Sequence, residues 1–325
     1  MKKFALILLL ASAYYFLSAP AFCETRVGFD SSYIKANISE QALYTYREDK
    51  KELINARKAE QIAKKLLVYT NSYGNFSGFE QDKVNSRLLY RSNFDSTATF
   101  EINTRTGEFL FDKGIGPYDV RGDTSNLPDE KEAVRIAKQH LNNLGLLPSE
   151  EELEVSHVGG LGMSVLNNDG TTSDYKKQVT VYFSRKINNV PVVGASRIVV
   201  DMGSSGELVG LIKNWRKIDK SKTKKLSKNE FLDARARYDK MMSGFRGKCS
   251  DAKAVKIKQS QLVLYDDGKG VIEPAIFSVA DLIVEKKVIT RNNGTVVQKS
   301  TFFSDEITPL SKNPKAIYPY AETAP

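Results

Sequence analysis

The feature that most constrains this chain is the stretch KINNVPVVGASRIVVDMGSSGELV, residues 186–209. Apolar residues alternate along it, and such a period of two lays one face of a strand against a core. Asn188-Asn189 and Ser205-Gly206 punctuate the run as turns. Asparagine tolerates positive φ better than most residues, so the pair suits a tight hairpin. The stretch predicts twisted antiparallel sheet, and it carries no nucleophile, metal-ligand cluster or phosphate loop.

The same theme, a helix followed by strands, recurs along the 325 residues. In LINARKAEQIAKKLL, Leu53, Ala56, Ala59, Ile62, Ala63 and Leu66 form one apolar helix stripe. A hairpin follows, with its turn at Thr106-Gly107. The second helix is predicted to begin at the cap Asp129, with Glu132 in capping-box spacing, and to stop at Gly145. The third starts at Ser227 and Glu230, with Leu226 and Phe231 as a hydrophobic staple, and runs to about Met242. Turns at Asp267-Gly268 and Asn293-Gly294 then divide the strands after it. The pattern predicts an α+β fold of two or three tandem helix-plus-antiparallel-sheet units. Their boundaries are 1–21 (leader), 39–121, 122–218, 226–310 and a proline-rich loose tail, 311–325.

MKKFALILLLASAYYFLSAPAFCETR opens the chain with two lysines, an uncharged apolar run and Ala19-Pro20-Ala21. This is the layout of an export signal, cut after Ala21 or Cys23; the rival reading is an uncleaved anchor, since the run approaches the length a bilayer needs. An exported chain ends in the periplasm or outside the cell, and the Met-Lys-Lys start looks bacterial. Phe22 is too bulky for lipoprotein processing at Cys23. With only Cys23 and Cys249, the chain is no disulfide scaffold. Export permits the two to pair, and two free thiols are the alternative.

Formal charge is +9, or +7 once residues 1–21 are removed. The excess favours anionic partners such as lipid surfaces or wall polymers, while export disfavours nucleic acid. It concentrates in KNWRKIDKSKTKKLSK, residues 213–228, which holds eight Lys or Arg against one acid. One reading is a solvated linker between units. The other is an anion-binding surface made of Lys213, Arg216, Lys217, Lys220, Lys222, Lys224 and Lys225, with Trp215 as its aromatic anchor.

The residue sets of the common chemistries are missing. His140 and His157 are the only histidines, and neither belongs to a His-Glu-x-x-His or Cys-x-x-Cys motif. Ser164 in GLGMSVL lacks the second glycine of a nucleophile elbow. Gly159, Gly160 and Gly162 do not have phosphate-loop spacing and predict a bulged strand. Asp266-Asp267 and Asp169/Asp174 sit in turns, where aspartate is expected for backbone reasons. The expectation is a binding protein with no cofactor or metal, although two carboxylates suffice for a glycosidase.

Residues 129–215, with EAVRIAKQHL, then VTVYFSRKINNVPVVGASRIVVD, then SGELVGLIKNW, resemble the PepSY and fungalysin/thermolysin-propeptide domains of secreted proteins. The matching residues are Phe183, Arg185, Ile187, Asn188, Val190, Pro191, Val192, Gly194, Gly206, Glu207 and Leu208. Asn189 departs from the pattern, which has glycine there. The resemblance implies PepSY/cystatin-like units and a role in inhibiting or assisting a secreted peptidase. Only 110 residues follow Trp215 and none is histidine, so the zinc peptidase that follows the propeptide in such proteins is missing. The partner would then be a separate peptidase or another envelope protein. It would add an extended segment to an exposed edge, the candidate being the strand of Arg185, Asn188, Pro191 and Gly194, since proline favours edges.

Overall fold

In the computed structural model the residues described are 44–48, 55–71, 80–82, 86–91, 99–113, 123–289 and 295–318. The expected leader, Cys23 and the Asn293-Gly294 turn lie outside them. No described helix is long and apolar enough to cross a membrane.

Three helices stand among the described elements: α1 (Ala56–Tyr69), α2 (Glu130–Leu144) and α3 (Ala234–Lys248). The strands are β1 (Tyr44–Glu48), β2 (Glu80–Asp82), β3 (Arg87–Arg91), β4 (Thr99–Asn103), β5 (Phe109–Asp112), β6 (Leu153–Leu166), β7 (Thr172–Ile187), β8 (Val190–Met202), β9 (Leu208–Asn214), β10 (Ile218–Lys225), β11 (Ala252–Asp266), β12 (Val271–Ile289) and β13 (Thr295–Pro309).

These 13 strands belong to one branched sheet with the path β10-β1-β12-β11-β8-β9-β5-β4-β3-β2. The expectation of two or three tandem helix-plus-antiparallel-sheet units is therefore wrong. The cause is the edges: each short sheet would expose a row of unpaired backbone groups, and these are joined to one another. β5 pairs with β9 from Phe109↔Lys213 to Asp112↔Gly210, fusing the first unit to the second. β8 and β11 pair in parallel from Leu264↔Val192 to Asp266↔Gly194, fusing the second to the third. β1, early in the chain, lies between β10 and β12.

Cores follow the same fusion. Ala59, Ala63, Leu66 and Leu67 of α1 pack with Ala133, Ala137, Leu141 and Leu144 of α2 against Phe100, Phe111, Phe183, Ile198 and Leu211. Lys65 of α1 donates from Nζ to the Leu144 carbonyl at 2.8 Å, where the negative end of the α2 dipole receives a cation. Asp129 caps α2 by accepting from the Glu132 N–H at 2.9 Å, and Gly145 ends it at φ 69°. The side chain of Glu132 turns to Arg135 instead of completing the box.

The third helix starts later than its sequence signal. The Ser227 N–H does donate to Glu230 Oε2 at 2.7 Å, but only a single 3-10 turn follows, Lys228–Glu230. The Leu232 N–H is then taken by the Leu310 carbonyl at 2.8 Å. Pairing with the end of β13 thus diverts the backbone until Asp233 caps α3 through the Ala236 N–H. Met241 and Phe245 of α3 close a separate core with Val255, Ala280 and Leu282.

Residues 311–318, expected as the start of a loose tail, are docked. Ala316 and Tyr318 are buried with Val263, Tyr265, Val271 and Ala275. Buried Glu273 accepts the main-chain N–H groups of Lys315 and Ala316 at 3.0 and 3.3 Å.

Candidate functional site

Two adjoining clefts, of 940 and 700 Å³, lie where α2 returns to the sheet and share Glu152 and Ile218 in their walls. One wall is the turn from Gly145 to Glu152 that follows the α2 stop. The other is the end of β9 with β10, and Tyr44, Tyr46 and the Asn188-Asn189 turn close the smaller cleft.

Arg185 on β7 organises the floor. Its residue is 2% exposed. Nη2 donates to Glu152 Oε2 at 2.7 Å, Nη1 donates to the Arg216 carbonyl at 2.7 Å, and the guanidinium lies 5.1 Å from the Trp215 ring centroid. A buried guanidinium needs this much compensation; its Nε is left without a hydrogen bond. Arg216 in turn pairs with Glu108 at 2.8 Å, which locks the end of β9 to the β4–β5 hairpin.

The asparagine turn has φ of 50° at Asn188 and 62° at Asn189, the left-handed pair its sequence predicts. Asn188 Nδ2 donates to Tyr46 Oη at 3.2 Å, tying the turn to β1. Burial raises the Tyr46 phenol above its ordinary value, so the hydroxyl stays protonated in neutral solution.

The strand of Arg185, Asn188, Pro191 and Gly194 is not an exposed edge. Pro191 stands opposite Lys186 of β7, and Val192 to Gly194 are flanked on the other side by β11. Val192 has a neighbour on each side, Arg185 of β7 and Leu264 of β11, so an added strand has no place there. Arg185 and Gly194 are structural: the first sits beneath the cleft and the second lets β8 and β11 close.

The basic segment is divided between interior and rim. Lys213, Trp215 and Arg216 are half-buried and turned inward, with Lys213 Nζ donating to the Trp215 carbonyl at 3.2 Å. Trp215 packs on the helix core, not outward as an anchor. Lys217, Lys222, Lys224 and Lys225 are exposed, and Lys220 lies on β10. The segment is no free linker, since β10 forms the sheet's outer strand beside β1. Asp219 pairs with Lys222 at 2.7 Å and is held down to about 2 by that lysine and Ser221. Cys249 caps the end of α3.

These groups can recognise a ligand through charge, hydrogen bonds and ring stacking. They offer a guanidinium, an indole, two phenols, lysines and the carboxylates of Glu152 and Asp219. Both ring nitrogens of His140 are engaged, Nδ1 with Tyr69 Oη and Nε2 with the Gly206 carbonyl, each at 2.8 Å. Ser164 donates to Asp174 on the exposed β6–β7 hairpin. No group of three His, Cys, Asp or Glu among the described residues could hold a metal. Sequence reasoning missed Glu152, Tyr44 and Tyr46; the Leu146-Leu147-Pro148 run directly after a helix stop was the available signal for the first wall.

No family model matches the chain, and no curated protein matches it. Among solved structures it is similar to an uncharacterised protein from Eubacterium rectale, at 12% identity and a TM-score of 0.46, over 85% of this chain and 87% of that one. It is also similar to the C-terminal domain of YpeB from Bacillus megaterium, at 13% identity and a TM-score of 0.32, over 78% of this chain and 98% of that one.

Proposed function

We propose that this is an exported, non-enzymatic binding protein that receives a protein partner, a secreted peptidase or another envelope protein, in the two clefts beside Glu152. The carrying observation is the shared wall. The two clefts share Glu152 and Ile218; Arg185 and Trp215 line the larger one, where Lys213 and Lys217 also stand. Preformed, mainly recognition-type surfaces suit binding with little reorganisation. The peptidase class rests on the resemblance of residues 129–215 to PepSY and propeptide domains.

An acidic segment is the favoured occupant. Lys217 lines the larger cleft, and exposed Lys222, Lys224 and Lys225 follow it along β10; surface ion pairs such as Lys222–Asp219 and Lys224–Glu230 exchange partners at small cost. β10 carries a break in register against β1 between Thr45 and Arg47. Such a break, like edge lysines, discourages simple strand addition, so side chains and not main-chain pairing are expected to make the contact. The exposed lysines also favour a second reading, attachment to anionic lipid or wall polymer.

The test is a pull-down from the host's envelope and secreted fractions at low and high salt, using the chain and its K217Q/K222Q/K224Q/K225Q variant. A protein retained by the parent chain at low salt and lost with the variant supports the first reading. Only polymer or lipid, released by salt and lost with the variant, supports the second. Turnover of a general hydrolase substrate that survives purification would overturn the non-enzymatic reading.

A further inference from the structure

Among the described strands the edges of the sheet are guarded, with one exception. β2 is only three residues long. β6 is broken twice in register against β7, and β10 carries lysines and the break opposite β1. β13, by contrast, pairs with β12 through fifteen consecutive residues without a shift, and with no other strand among the described residues. Its outer part also exposes large apolar side chains: Val296 at 51%, Val297 at 49%, Phe302 at 54% and Phe303 at 75%. A long, straight, apolar edge is a template for another strand.

We infer that residues 296–304 of β13 pair antiparallel with the same residues of a second copy of this chain, about a two-fold axis at Ser300. The charges and the backbone select this occupant and register. Along β13, residues pointing their N–H and C=O toward β12 alternate with residues pointing them away, and a new antiparallel strand must match like with like. A two-fold axis therefore passes through a residue. At Lys299 it would set two lysines directly opposite, which is unfavourable. Beyond Ser300 it would need the edge at Asp305, whose carbonyl already accepts from Lys248 Nζ. Before Lys299 it would leave Phe302 and Phe303 uncovered.

At Ser300 the axis puts Val297 opposite Phe303 twice and Lys299 opposite Thr301. In this register Lys299 keeps its surface pair with Glu285, at 2.8 Å on the neighbouring strand, and meets no second lysine. Aromatic and β-branched pairs of this kind stabilise antiparallel ladders. The pairing would continue the sheet from one chain into the next across a closed two-fold interface.

Sedimentation equilibrium of the purified chain tests it. A species of twice the chain mass is expected, and V297K/F303K is expected to sediment as one chain with an unchanged circular dichroism spectrum. In a C23S/C249S background, mild oxidation is expected to link S300C into a disulfide dimer, because residues directly opposite stand about 4.5–5.5 Å apart at Cα, and to leave T301C unlinked. A chain that sediments as a monomer, as it would if a different protein covered this edge, overturns the inference. So does a dimer that V297K/F303K leaves intact, or linking by T301C in place of S300C.

Discussion

Gly194 and Asp266 meet where β8 and β11 join: a Cβ at position 194 would collide with the Asp266 carbonyl oxygen, and the glycine adopts φ of 108°. Two parts of the chain that the sequence divides are thus joined at a contact only glycine permits.

G194A is therefore expected to destabilise by about 2–4 kcal/mol, combining backbone strain with separation of two strands. In the parent chain, urea unfolding followed by Trp215 fluorescence and by a label on Cys249 should give coincident curves, as one cooperative unit does. In G194A the two curves should part. Separate transitions already present in the parent would mean the sheet is not continuous in energy.

Removing Glu152 leaves the Arg185 charge without its carboxylate. E152Q should cost about 1–3 kcal/mol, softened because Glu152 is partly exposed, and R185A about 3–5 kcal/mol. The double variant should cost less than the sum, since each change removes the same 2.7 Å contact. Chemical denaturation measures all three.

The His140 ring donates from Nε2 to the Gly206 carbonyl, which fixes the neutral tautomer with Nδ1 accepting from Tyr69. Burial holds its pKa below the ordinary 6.5. The unfolded chain therefore takes up the proton first as pH falls, so the stabilising contribution is full above 6.5 and is lost on acidification through the folded value. Asp201, Glu273 and Glu306 are raised by burial and act with the opposite sign. The difference between parent and H140Q isolates the histidine: the parent's thermal advantage should shrink from about pH 7 to about pH 5. A constant difference would contradict the lowering of the His140 pKa by burial.

Tyr318 fills the pocket beside Tyr265, with ring centroids 4.7 Å apart. Y318A should cost about 2–4 kcal/mol and expose the Val263–Ala275 core, seen as increased binding of an apolar dye. No loss would return this segment to a loose tail.

Local features were the legible ones. Asp129 and Gly145 mark α2, and Asn188-Asn189 marks its hairpin, because caps and turns depend on residues a few positions apart. Ser227 and Glu230 misled, since their capping contact forms while distant Leu310 claims the Leu232 N–H. The joining of β5 to β9 and of β8 to β11 was illegible: pairing between strands far apart in sequence leaves no periodic signature. The same holds for the clefts. Trp215 looked like a surface anchor until Arg185, thirty positions earlier, was seen beneath it. Pro191 signalled an edge, yet it stands opposite Lys186 of β7 and β11 pairs with the residues directly after it.

The most direct measurement places a photo-reactive residue at Ser221, in the cleft wall, and another at exposed Lys253 on β11, in the host envelope. The proposed site predicts a protein cross-link from position 221 that is absent from 253 and lost when Lys217, Lys222, Lys224 and Lys225 are neutralised. Equal labelling from both positions, or a cross-link indifferent to those lysines, would contradict the assignment of the clefts as the binding site.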